Sequence, residues 1–271
     1  MSETVEDART PARPRPRLRW WRELLCVVAF YSVYTLIRNH GVAAGSHGEA
    51  FRHARQVIGA QRLLGIYHEE SIQDVFLGWE PFISFWNVFY GTAHFVVTVG
   101  ALVYLFRKVP ESYPLWRNTL ALTTGLALVG FALYPLMPPR LLPGDYGFVD
   151  TLRVVGGLWS FESAPMAKVS NPYAAMPSLH VAWAAWCWFA LSPALRRPSA
   201  RRAMAAYPLL TLFAVVVTAN HFFLDVLGSA VVLAAGFWLA RLFTGWTEAR
   251  RFVAASVPSR LRPSSSVPSQ P

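Results

Sequence analysis

Charged side chains are scarce in this chain. Asp, Glu, Lys and Arg together make up 15% of its 271 residues, against about 25% in an average soluble protein. With 54% apolar residues and a mean hydropathy of +0.32, a single soluble domain is excluded as the starting picture. Lysine is scarcer still: only Lys108 and Lys168 stand among 25 basic residues. Cysteine is limited to Cys26 and Cys187, each inside an apolar run. That excludes a disulfide framework, and neither a redox compartment nor metal binding can be argued from so few thiols. No small-residue cleavage site follows the first apolar run, so that run is expected to remain in the mature protein. There is no internal repeat.

Aromatic residues are plentiful, with 11 Trp, 10 Tyr and 18 Phe, a composition suited to helix ends at a bilayer interface. A hydrocarbon core of about 30 Å takes roughly 20 apolar residues in helix. The runs that approach this are Leu24–Ile37, Phe82–Phe106, Thr119–Met137, Ser178–Leu191, Ala203–Ala219 and Phe222–Ala240. The expected fold is all-α, a polytopic membrane helical bundle with about six transmembrane helices. Between the first two runs, Ser46-His-Gly-Glu49 has capping-box form and precedes apolar residues at helical spacing, which predicts an amphipathic helix on the outer surface. Ser71–Leu77 predicts a second, shorter one. Residues 1–19 are basic and Pro-rich, and 258–271 are Ser/Pro-rich. Both are expected to be disordered tails, leaving 20–257 as the membrane catalytic domain.

Threading the runs back and forth sorts the basic residues. One side collects six arginines before residue 23, three basic residues at 107–117, four at 196–202 and five from Arg241 onward, eighteen against seven. The positive-inside rule therefore predicts both termini in the cytoplasm and the long loops outside. The net charge of +10 is then explained by topology and anionic lipid headgroups, and nucleic acid is not an expected partner.

Three outward segments bring chemistry to one level of the membrane. A loop from Pro138 to Pro177 is too long for a plain connection. It opens on Pro138-Pro-Arg140 and closes on Asn171-Pro-Tyr-Ala-Ala-Met-Pro-Ser-Leu-His180, while the fifth run leads into Thr218-Ala-Asn-His221-Phe-Phe-Leu-Asp225. His221 and Asp225 are four residues apart, so on a helix they share a face, where the carboxylate can fix the imidazole tautomer and stabilise its cation. A neutral, oriented imidazole is a competent nucleophile toward phosphorus. Ser178 is placed to cap a helix whose free N–H groups favour a phosphate, His180 in that first turn can protonate a leaving alkoxide, and Arg140 offers forked donors to phosphate oxygens. Other readings stand beside this one. A boundary histidine can simply satisfy a backbone carbonyl, two His and an Asp can ligate Zn or Fe, and intramembrane His and Asp also occur in transporters. His94, with Tyr90 and Asn87 one and two turns away, either lines a cavity or knits helices. Glu69 and Glu70 are expected to be solvated surface charges, and Trp183, Trp186 and Trp188 packing or interface residues.

At these positions the sequence resembles the type 2 phosphatidic acid phosphatase superfamily and, within it, the inositol phosphorylceramide synthase branch. The motifs that carry the resemblance are Ala175-Met-Pro-Ser-Leu-His180-Val-Ala-Trp and Asn220-His221-Phe-Phe-Leu-Asp225-Val-Leu-Gly. It extends through Leu64-Gly-Ile-Tyr-His-Glu, Asn87-Val-Phe-Tyr90 to His94, and Tyr134-Pro-Leu-Met-Pro-Pro-Arg140. The resemblance implies a metal-independent, cofactor-free reaction through a phosphohistidine, with His221 as nucleophile, His180 as general acid and Asp225 supporting His221. It also implies a lipid phosphate substrate, with water or a polyol or other alcohol as acceptor, and the threading of the spans puts that site on the outer side of the cell membrane. Arg140, Ser178 and Lys168 are the expected phosphate ligands. Where the wider superfamily has an Arg six residues before the nucleophilic His, this chain has Val215, so part of the phosphate charge compensation is left open, with Lys168, Arg153 and Arg38 as candidates among which the sequence does not choose.

Overall fold

A computed structural model describes residues 19–21, 23–25, 27–28, 32, 46–156 and 172–256, with side chains described as far as 245. Most of the run Leu24–Ile37, both tails, Cys26, Arg38 and Lys168 lie outside the described residues. Within them the regular structure is helical, and the only strand-like pairing is a single parallel bridge between Leu136 and Ala174.

Helix α1, His47–Leu63, starts at Ser46, whose Oγ accepts the Glu49 N–H at 3.2 Å, so one of the first turn's unpaired donors is satisfied as the motif predicts. Its apolar face, Ala50, Ala54, Val57 and Ile58, packs on Leu136, Met137, Phe148, Ala219 and Phe222. This face fastens α1 onto the loops that carry the candidate site. His53 reinforces the contact: its ring stacks on Tyr134 and its Nδ1 donates to the Pro135 carbonyl at 2.8 Å. Gly65, with φ of +68°, turns the chain into α2, Glu69–Leu77.

Long apolar helices follow. These are α3 (Glu80–Lys108), α4 (Tyr113–Leu133), α6 (Leu179–Leu191), α7 (Pro198–Val217) and α8 (Phe223–Ser256), with the short α5 (Thr151–Val154) in the connection before α6. Among the described residues, Glu80–Lys108, Pro198–Val217 and Phe223–Gly245 are long and apolar enough to cross a membrane, and α6 is a shorter apolar helix. Their outer faces are bare hydrocarbon: Phe95, Val96 and Val99 on α3, Leu209 on α7, and Leu227, Val231 and Trp238 on α8 are all exposed. A soluble protein would not leave such bands in water, so the molecule is a helical membrane bundle.

Inside the bundle, close packing depends on small residues, as expected where lipid offers no hydrophobic drive between helices. At Gly236 of α8 an added methyl would lie 2.8 Å from the backbone nitrogen of Thr123 in α4. Hydroxyls within the helices bond back onto their own carbonyls, Thr119 to Leu115 at 2.9 Å and Thr124 to Leu120 at 2.8 Å. Trp186 is fully buried and donates to the Trp116 carbonyl at 2.9 Å, which makes it a packing residue rather than an interface anchor. The loop after α4 has structure of its own, with two 3-10 turns (Pro139–Leu141 and Gly144–Tyr146) before α5.

Candidate active site

His221 sits in the turn between α7 and α8, two residues before α8 begins, and not on the helix that the four-residue spacing to Asp225 predicts. The turn closes α7 as a Schellman motif: the Asn220 N–H reaches the Val215 carbonyl at 2.9 Å and the Ala219 N–H reaches Val216 at 2.9 Å. Its left-handed position usually takes glycine. Here it is Ala219, at φ of +51° and fully buried, a conformation costing about 1–2 kcal/mol for an L-residue. The Ala219 carbonyl accepts the Arg140 N–H at 2.8 Å, and Asn220 Nδ2 donates to Thr218 Oγ1 at 2.8 Å. His221 is thereby presented by a fully bonded turn.

Asp225, in the first turn of α8, uses one oxygen twice. Its Oδ2 accepts the Phe222 N–H at 2.9 Å and lies 3.2 Å from Nδ1 of His221. Both residues are buried. A carboxylate only accepts, so the proton between them resides on Nδ1, and Nε2 of His221 carries the lone pair.

His180 faces His221 across the site, with ring centroids 5.9 Å apart. It projects from the first turn of α6. The Tyr90 ring stacks on one side of it at 4.2 Å and His94 meets it edge-on, also at 4.2 Å. His94 therefore lines the site. Its Nδ1 donates to the Tyr90 carbonyl at 3.0 Å within α3, which leaves Nε2 as an acceptor. Asn87, the third residue of that face, does something else: it clamps Thr151 and Gly156 through both ends of its amide at 2.8–3.0 Å.

Ser178 occupies the N-cap position of α6, but its hydroxyl makes no cap bond, is fully buried and has no partner among the described residues. The N–H groups of Leu179, His180 and Val181 likewise have no acceptor among the described residues. The start of α6 is pinned to that of α8, for the Ser178 N–H donates to the Asp225 carbonyl at 3.2 Å and Ser229 Oγ reaches the Ser178 carbonyl at 2.7 Å. Pro177, just ahead, is held between two glycines. A methyl on Gly130 would stand 2.9 Å from its Cδ, and one on Gly228 would stand 3.2 Å from its Cβ.

Arg140 reaches the same place. Its Nε donates to Asn220 Oδ1 at 3.0 Å and its Nη1 to Asp150 Oδ2 at 2.9 Å, while Nη2 has no partner among the described residues. No sequence signal points to the carboxylate of Asp150. It is held by neighbours on both sides: Gln73 bonds both polar groups of Val149 at 2.9 Å, and Asn87 clamps Thr151. Arg153 stands on α5, and Lys168 lies outside the described residues.

Glu69 corrects its sequence reading. Glu70 is exposed, as expected, but Glu69 is fully buried. It accepts from Gln61 Nε2 at 2.6 Å, the His68 N–H at 3.1 Å and the Phe223 N–H at 2.8 Å. Nothing local separates the two glutamates in sequence, since the partner that distinguishes them is 154 residues away.

Among the described residues no group of three or more His, Cys, Asp or Glu is arranged to hold a metal ion. What the site does hold is a buried His–Asp pair, a second histidine opposite, an arginine and a helix start with unspent N–H donors. Searches of curated proteins and of solved structures gave no match. A family model described as the PAP2 superfamily matches residues 55–239, a span that takes in most of α1, all of α2 and each of these site residues. The chain belongs to the PAP2 superfamily and is a membrane enzyme of the phosphatase type that acts on lipid phosphates.

Proposed function

We propose that the protein transfers the phosphoryl group of a lipid phosphate through a phosphohistidine on His221. The observation that carries this reading is the His221–Asp225 bond with the ring of His180 5.9 Å across from it. The Nε2 lone pair of His221 attacks phosphorus as the bond from phosphorus to the lipid alkoxide breaks, and His180 gives its proton to that oxygen. His180, now neutral, then takes a proton from water as the water oxygen attacks phosphorus and His221 leaves with its lone pair restored. Asp225 holds the Nδ1 proton throughout and stabilises the cationic phosphoimidazole.

The phosphate oxygens fall to the start of α6, the Ser178 hydroxyl and Nη2 of Arg140, with Lys168 proposed as a further ligand. An alcohol in place of water turns the same second step into transfer, which is the inositol phosphorylceramide synthase-like alternative. A site on the outer face, both termini in the cytoplasm, and a catalytic domain over 20–257 flanked by two tails complete the proposal.

The test is to incubate purified protein with radiolabelled lipid phosphate, with and without inositol or another polyol, in excess chelator. Acid-labile, base-stable label on wild-type protein but not on His221→Ala supports the phosphohistidine. Label appearing on the polyol favours transfer, and free phosphate alone favours hydrolysis. Activity abolished by chelation and restored by Zn or Mn would move the two histidines to a metal-ligand role.

A further inference from the structure

Among the described residues Glu69 is the one fully buried acid outside the His–Asp pair, and no step of the proposed reaction uses it. Taking a carboxylate fully out of water is costly unless it is paired or well bonded. Here the three donors come from three elements. Gln61 belongs to α1, His68 is the residue before α2, and Phe223 is the first residue of α8. Gln61 is itself fully buried, and with its amide nitrogen on Glu69 its Oε1 accepts the Leu224 N–H at 2.9 Å.

The start of α8 is thus completely subscribed. Phe222 N–H goes to Asp225, Phe223 N–H to Glu69 and Leu224 N–H to Gln61. Two of those acceptors come from the α1–α2 segment, 154 and 163 residues distant in sequence, and all three donors lie within three residues of His221. The side chain that orients His221 is therefore held on a helix start that Glu69 and Gln61 fix.

We infer that Glu69 and Gln61 are positioning residues for His221, so that the α1–α2 segment is part of the catalytic apparatus as well as a cover for the loops. This rests on His221 being the nucleophile. Misplacing a reacting group by a fraction of an ångström to an ångström costs up to about 100-fold in rate with binding little changed.

The experiment compares full-length Glu69→Met and Gln61→Met with wild type and His221→Ala in detergent, on an aryl phosphate and on a lipid phosphate. Rates are normalised to monodisperse folded enzyme. Gln61 and the Phe223 N–H share one oxygen of Glu69, which a glutamine would retain, so Met is used to remove both bonds. Glu69→Met is expected to lower kcat and the rate of phosphoenzyme formation by about 10- to 100-fold, with KM within about twofold. Gln61→Met is expected to do the same to a smaller extent, and the double variant to be no worse than Glu69→Met, because the pair acts as one unit. A merely structural role predicts less folded protein with unchanged kcat per folded molecule, and that result overturns the inference. Failure of both single variants to yield folded protein overturns it too, since the pair would then serve the fold and not the geometry of one side chain. If His221→Ala keeps turning over, the nucleophile reading itself falls. If His221→Ala is dead while both other variants keep full kcat, only the role of Glu69 and Gln61 falls.

Discussion

Replacing Asp225 by Asn separates two things a carboxylate can do for a histidine. In many catalytic triads an amide at this place turns its NH2 toward the imidazole, forces the wrong tautomer and costs about 10,000-fold. The geometry here predicts a milder loss. Both donors, His221 Nδ1–H and the Phe222 N–H, converge on Oδ2, while Oδ1 is buried without a partner among the described residues. An asparagine can put its single oxygen in the Oδ2 place and keep both bonds, so the tautomer and the start of α8 survive and only the charge is lost. Exchanging a charged for a neutral hydrogen bond accounts for about 1–2 kcal/mol. Loss of a unit charge near 4 Å from a developing cation accounts for at most about 4 kcal/mol at an effective dielectric of 20. The barrier should rise by about 2–4 kcal/mol, about 30- to 1,000-fold in kcat. Asp225→Leu removes orientation as well and should cost about 10,000-fold or more. The assay is kcat and KM for both variants on one aryl phosphate, with thermal unfolding to confirm that Asp225→Asn preserves the fold. Equal losses for the Asn and Leu variants would refute the single-oxygen argument, and wild-type kcat in either would refute His221 as the nucleophile.

His180→Ala should lower turnover of an alkyl phosphate lipid by about 100- to 10,000-fold and spare an aryl phosphate, whose leaving group needs no proton. Equal loss in kcat/KM on both substrates would remove the general-acid role. In a variant lacking Cys26 and Cys187, a cysteine placed after Gly144 should react with an impermeant thiol reagent on intact cells and one placed after Arg196 should not, and the reverse pattern would invert the topology. Gly130→Ala drives a methyl to 2.9 Å from Pro177 Cδ, with Gly228 closing the other side. It should cost about 1–3 kcal/mol, read as a lower midpoint of thermal unfolding together with lost activity, and an unchanged midpoint would show that the Pro177 cradle is slack.

How much of this is legible in sequence depends on how far apart the interacting groups lie. The long helices are legible because apolar runs and bilayer thickness constrain each other locally: Phe82–Phe106 corresponds to Glu80–Lys108 and Ala203–Ala219 to Pro198–Val217, with ends that differ by two to five residues. The spacing of His221 and Asp225 marks them as a pair, though it works through a helix start and not through a helical face. The Ser46 cap is legible within four residues. Glu69, Gln61, Asp150 and Gln73 are not, because each is a polar residue whose burial is set by partners 76 or more residues away, or by an arginine reached only once the loop folds back. A sequence pattern assigns such residues to the surface by default, and only the packed structure reverses it.

The same distinction gives the two helix starts of the site opposite characters. An exposed helix N-terminus attracts an anion through its unpaired N–H groups and the positive end of its dipole. At α8 those N–H groups are already bonded to Asp225, Glu69 and Gln61, two of which are carboxylates, so a phosphate dianion gains nothing there and would meet repulsion. At α6 the N–H groups of Leu179, His180 and Val181 and the hydroxyl of Ser178 have no acceptor among the described residues, and Arg140 is bonded to Asn220, the neighbour of His221. On the proposed reading, phosphate therefore settles on α6 with its charge facing donors, while His221 approaches from α8 with negative charge behind it. The field along that line favours electron flow from imidazole to phosphorus and stabilises the cation left on the ring. Exchanging the capping pattern between the two helices would place the anion behind the nucleophile, and attack would then lead away from the group that must protonate the leaving oxygen.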